Sequence, residues 1–189
     1  MRLEVHLHGY IYLCEGVTRR QVETAMRPLF DYLDVENMGE VQSLEDNQPG
    51  IVYHQRDFGL EICCTLDVGG SFFAALEGAM SGIGHLAEQG TAMEVILYHD
   101  DGRDETQLIF IGPSSEAIYD AQRRRMVEDV TGLLRRQFSE AGTDEVVKLI
   151  NDLFRRERGQ AAAAAAATEE PDDFPTSQMP GSIGRRRLH

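Results

Sequence analysis

The stretch from residue 3 to residue 13 reads Leu3-Glu4-Val5-His6-Leu7-His8-Gly9-Tyr10-Ile11-Tyr12-Leu13 and alternates between two kinds of side chain. Apolar residues occupy nearly all the odd positions, whereas acidic, histidine and tyrosine residues occupy the even ones. Because successive side chains of a β-strand point to opposite faces of a sheet, this alternation predicts a long strand with one buried face. The other face then presents His6, His8, Tyr10 and Tyr12 together.

Further along the chain, the sequence predicts the same order of elements twice. A capping box at Thr18 begins a helix that Pro28 should bend, because proline removes one backbone amide from the helix. Strands are then predicted at 40–44 and 51–55. The second half repeats this order, with a strand at 60–68, a helix from Ser71, and strands at 93–99 and 107–111 joined by a turn at Asp101-Gly102.

We therefore predict an α+β fold made of duplicated β-α-β-β units. These units would form a largely antiparallel six-stranded sheet with two helices on one face. A C-terminal helical pair over 113–158 would complete a single domain of residues 1–158, of which 1–112 is the duplicated part. Residues 159–189 are predicted to be a disordered tail, rich in alanine and acids and ending in the basic run at 185–187.

The net charge of −14 is concentrated in one part of the chain. Residues 1–112 hold 19 acidic against 6 basic residues, whereas 113–158 hold 9 of each. Such a field repels nucleic acid and favours basic partners, so we do not expect direct nucleic-acid binding. The chain has three cysteines without a C-x-x-C pair and no long apolar run, which predicts a cytoplasmic protein without a membrane span. We also expect the protein to be of bacterial or phage type.

The His6-Leu7-His8 step raises the possibility of a metal site. On a strand the two histidines lie on one face about 7 Å apart, where both can bind one metal ion if a third ligand approaches. Aligning the two halves places Cys63 at the position that corresponds to His6. His6, His8 and Cys63 are therefore the candidate metal ligands, and a half-buried face of aromatic and histidine side chains is the competing interpretation.

The sequence contains no complete catalytic motif and no cofactor-binding motif, so enzymatic activity is not our expectation. We predict an acidic binding or accessory protein that acts through protein contacts, with a protein partner or as a homodimer. A metal-dependent hydrolase or phosphoesterase that uses His6 and His8 is the alternative, and an inhibitor that mimics DNA is a second one. We expect the histidine face to be mostly closed to solvent, and the sequence leaves open whether residues 113–158 cover it.

Overall fold

A computed structural model describes residues 3–99 and 102–168 of the chain, and the side chains up to residue 160. It confirms an α+β fold with a mainly helical C-terminal third. The strands are β1 (Leu3–Tyr12), β2 (Gly50–His54), β3 (Gly59–Val68), β4 (Thr91–Tyr98) and β5 (Glu105–Ile111). The helices are α1 (Arg19–Ala25), α2 (Arg27–Leu33), α3 (Phe72–Gly84), α4 (Ser115–Leu134) and α5 (Glu140–Thr168), with a short 3-10 turn at Met38–Glu40.

The sheet has the strand order β2-β3-β1-β4-β5, and every neighbouring pair is antiparallel. β1 is the central strand and pairs over its whole length with β3, with Leu7 opposite Cys64 and His8 opposite Cys63. β1 and β2 run parallel with β3 inserted between them, which is a split β-α-β arrangement. The alternation of the opening stretch therefore belongs to the strand that organises the sheet.

The predicted six strands and the duplicated four-element units are not confirmed, because the described residues form a sheet of five strands. Residues 40–44, predicted as a strand, contain the end of the 3-10 turn and then an irregular segment. That segment meets the edge of β3, where the Leu44 amide donates to the carbonyl of Thr65. A single hydrogen bond does not pair two strands. Within the described residues, the first of the two predicted units therefore contributes one strand fewer than expected.

Helices α1, α2 and α3 cover one face of the sheet. The predicted bend at Pro28 is confirmed as a break, because α1 ends at Ala25 and α2 begins at Arg27. The core lies between these helices and the sheet, and its largest fully buried side chains include Phe30, Phe72, Leu7, Ile11 and Leu76. At the start of α3, Phe72 is fully buried, whereas the next residue, Phe73, is 38% exposed.

Helix α4 begins as the sequence predicts, with the side chain of Ser114 accepting a hydrogen bond from the Ala117 amide. Helix α5 begins at Glu140 and continues through Gly159 and the alanine run to Thr168. The first compact unit of the chain ends at Val147, and the second begins at Lys148. Of the predicted disordered tail at 159–189, residues 159–168 belong to α5, and the remainder, with the basic run at 185–187, lies outside the described residues. None of the described helices is long and apolar enough to cross a membrane.

Candidate functional site: the open face of the sheet

The sheet has a second face, which helices α1 to α3 do not cover, and we call it the open face. Strand register assigns it four acidic residues, Glu4, Glu61, Asp67 and Glu94, together with the histidines and tyrosines of β1. The register places no lysine or arginine of the five described strands on this face. The open face therefore combines aromatic rings with negative charge.

A row of five rings, which we call the ring ladder, runs along the middle of the open face. It consists of His6, His8, Tyr10 and Tyr12 on β1 and His54 on β2. The ring centroids of His6 and His8 are 6.2 Å apart, and the two rings are stacked. Tyr10 stacks on His54 at 5.9 Å and meets Tyr12 edge-on at 5.0 Å. The ladder thus presents several ring faces along one strand.

The ring ladder is accessible to solvent. His8 is exposed and the Tyr12 side chain is 49% exposed, whereas His6, Tyr10 and His54 are half-buried. Our expectation that this face is mostly closed to solvent is therefore not met at His8 and Tyr12. The physical reason is that α4 lies near the start of β4, at Gly90, and leaves the surface over β1 and β3 open.

Helix α4 borders the open face and is attached to it by arginine contacts. Arg125 Nη2 donates to Glu94 Oε1 at 2.7 Å, and Arg124 Nη2 donates to the carbonyl of Gly90 at 2.6 Å. The hydrogen bond to Glu94 raises the pKa of Arg125, so the guanidinium group stays charged at any ordinary pH. Glycine is needed at position 90, because a Cβ there would collide with the carbonyl oxygen of Ala117.

At one end of the ladder, His6 belongs to a polar network with the segment 41–49. His6 Nδ1 lies 3.1 Å from Thr65 Oγ1, and Thr65 Oγ1 donates to Gln48 Oε1 at 3.0 Å. Ser43 Oγ donates to the same Gln48 oxygen and accepts the Thr65 amide. Thr65 is buried, and this network provides the hydrogen-bond partners that its hydroxyl needs. The segment 41–49 therefore covers the open face over β3 at Thr65.

The protonation of His6 is set by this environment. Burial lowers the pKa of His6 below its usual 6.5, the neighbouring His8 lowers it further, and Glu94 partly opposes both effects. His6 Nδ1 has two neighbours in this network, the Thr65 hydroxyl at 3.1 Å and the Gln48 side-chain nitrogen at 3.4 Å, and the tautomer of His6 decides which of the two it bonds.

At the other end of the ladder, Tyr10 lies across the backbone of Gly59. A Cβ at position 59 would collide with the hydroxyl end of the Tyr10 ring, so the glycine allows this ring to cross β3 at that point. Burial raises the pKa of Tyr10, and Asp57, Tyr12 and Glu61 raise it further, which keeps the hydroxyl protonated. Beside it, His54 Nε2 and Glu61 Oε2 are 2.7 Å apart.

The structure does not assemble the candidate metal ligands into a site. Among the described residues, no group of three or more histidine, cysteine and acidic side chains is arranged to hold a metal ion. Cys63 lies opposite His8 rather than His6. Burial raises the pKa of Cys63, as does Glu61, which opposes the thiolate that binds metal. A metal site at His6 and His8 stays a prediction, which metal analysis of untagged protein can test.

Sequence reasoning missed His54, Gln48 and Ser43 as members of this face. The predicted strand at 51–55 held a usable signal for His54. The period of two in a strand places this histidine on the same face as Val52. The other two lie in an irregular segment, whose position depends on long-range contacts with β3. No local pattern predicts such contacts.

A comparison with known protein families gives one match. A family described as a family of unknown function, DUF6806, matches residues 3–155, and the chain therefore belongs to this family. No curated protein and no solved structure matches the chain. The matched range includes all five strands and the whole of the ring ladder.

Proposed function

Since the chain belongs to a family without a described activity, we propose from its geometry that it is an acidic binding protein acting through protein contacts. The observation that carries the proposal is the exposed ring ladder at the centre of the open face. Exposed aromatic side chains supply most of the binding energy at many protein interfaces, because they are large, rigid and amphipathic. A sheet face without such a role usually presents scattered polar side chains to water.

The charge of the open face supports a protein partner of opposite charge. Glu4 and Asp67 lie opposite each other on β1 and β3, and both are exposed. A nucleic acid would bring phosphates against these carboxylates, whereas a basic protein surface would be attracted to them. Two copies of the open face would repel each other for the same reason. A homodimer, if it forms, would therefore use another surface.

Affinity capture from the source organism, with two matched variants, tests the proposal. The double variant His8→Ser, Tyr12→Ser removes the two most exposed rings of the ladder without touching the core. Phe73→Ser removes an exposed ring from α3, which lies on the other side of the sheet. We expect at least one protein that both the wild type and Phe73→Ser retain, and that the double variant loses.

Direct binding between the purified partner and the protein should then show the same dependence on the ladder. If the double variant retains every protein that the wild type captures, the open face is not the contact surface and the proposal is wrong. Thermal melting of each variant shows whether it is folded, and both should melt close to the wild type because the substituted side chains are exposed.

A further inference from the structure

We infer that the ring ladder binds an extended segment of the partner that carries arginine at alternate positions. This inference rests on the proposed function and names the chemistry of the partner. A guanidinium group is planar, weakly hydrated and able to stack on an aromatic face while it donates hydrogen bonds at its edge. The open face offers both the ring faces and the carboxylates that this group requires.

The spacing of the ladder fits an extended chain. From His6 to Tyr12 the ladder covers six residue steps of β1, which is about 20 Å by strand rise. Side chains of neighbouring ladder positions on β1 are two residues, or about 7 Å, apart. Alternate side chains of an extended partner segment have the same spacing. Three or four of its side chains can therefore meet successive rings.

The protein itself places one arginine at the border of this face. Arg125 of α4 reaches Glu94, whose position on β4 is directly opposite His8. The pair is only partly exposed, with about a third of each side chain accessible. A guanidinium group is thus already accommodated next to the ladder, bound to one of the four acidic residues that the strands contribute.

Further acidic groups that can accept hydrogen bonds from a guanidinium group lie on the side of the ring ladder away from α4. Glu61 lies next to Tyr10 in the register and is 36% exposed, so it can accept from a guanidinium group that stacks on the Tyr10 or His54 ring. Asp57 is near enough to Tyr10 to raise the pKa of Tyr10.

These features favour arginine over two other ligands. Lysine carries the same charge, but its ammonium group is compact and strongly hydrated, so it gains less from several ring faces. Single-stranded nucleic acid also stacks on exposed rings, but its phosphates would face the carboxylates of Glu4, Glu61 and Asp67. The combination of rings with acids, without a basic residue from the described strands on this face, fits a segment rich in arginine.

Fluorescence anisotropy with defined peptides tests the inference on the full-length chain. The probe is a fluorescein-labelled peptide of four Arg-Thr repeats, and the matched peptide has Lys-Thr repeats, both in about 0.15 M salt. We expect saturable binding that is several-fold tighter for the arginine peptide. His8→Ser and Tyr12→Ser should each weaken the binding about threefold, and Glu61→Gln should also weaken it.

Two control variants lie in the helical layer. Phe73→Ser removes an exposed ring from α3, and Asp31→Asn removes an exposed acid from α2. Both should leave the binding of the arginine peptide unchanged within twofold. If they weaken binding as much as the ladder variants do, or if the lysine peptide binds equally well, only diffuse charge attraction operates and the inference is wrong.

The inference and the proposed function can fail separately. If the arginine peptide does not bind, while affinity capture still loses a protein with His8→Ser, Tyr12→Ser, the open face is a contact surface for a partner of different chemistry. If a single-stranded oligouridine binds the ladder in preference to the arginine peptide, the inference is overturned. Loss of both the peptide binding and the ladder-dependent capture would end both proposals.

Discussion

Cys63 and Cys64 are neighbours in the chain, yet they face different environments. Cys64 is fully buried beneath the helices, whereas Cys63 is half-buried on the open face, opposite His8. The same contrast holds for Leu7 and His8 on β1. One face of each strand contributes to the core and stability, and the other presents rings and acids to solvent. This difference shows that stability and recognition are divided between the two faces of a single sheet.

The largest effect that separates the two faces should be on stability. Leu7→Ala removes a fully buried side chain from the centre of the core, and we expect the free energy of unfolding to fall by about 2–5 kcal/mol. His8→Ala, one residue further along, should change it by less than about 0.5 kcal/mol, because His8 is exposed. Urea unfolding followed by circular dichroism measures both values. Equal losses would show that the open face is also part of the core.

The second effect is on thiol reactivity. Burial, together with a smaller effect of Cys63, raises the pKa of Cys64 from 9.0 to about 12. Its thiolate is therefore about a thousandfold scarcer than that of an unperturbed thiol. In a Cys14→Ser background, we expect iodoacetamide to modify Cys63 before Cys64, as measured by mass spectrometry of peptides over time. In urea the two should react at similar rates. Preferential labelling of Cys64 in the folded protein would contradict the assignment of faces.

The smallest effect is on protonation within the open face. NMR titration of His6 should give a pKa below 6.5, because burial and His8 both lower it. His8→Ala should raise this pKa towards its usual value, whereas Glu94→Gln should lower it further. Thr65 and Gln48, the other groups that face His6, are uncharged and titrate nowhere in this range.

The lowered pKa of His6 determines whether its contribution to stability rises or falls with pH. The unfolded chain binds the His6 proton more tightly than the folded one, so the contribution of His6 to stability should decrease as the pH falls through 6.5. It should become constant below the pKa of His6 in the folded protein. A His6→Gln variant should lack this component in urea unfolding at a series of pH values. A pKa of His6 above 6.5 would reverse the sign and contradict the prediction.

Local patterns were sufficient for the elements with strong periodicity. The alternation in residues 3–13 predicted β1 and the division of its side chains between two faces, because the period of two is a property of the extended backbone. The capping box at Thr18 and the break near Pro28 were also predicted correctly, since both depend on hydrogen bonds within a few residues. The segment 40–44 was predicted wrongly, because its structure depends on contacts with Thr65.

The amino-acid sequence by itself determined that His6, His8, Tyr10 and Tyr12 share a face, and that the chain is strongly acidic. The tertiary structure decided which elements lie beside that face. It brought His54 to Tyr10, Gln48 to His6 and Arg125 to Glu94, and it left the rings over β1 accessible. The physical reason is the range of the interactions: backbone geometry repeats within a few residues, whereas strand order and helix placement depend on burial between segments distant in the chain.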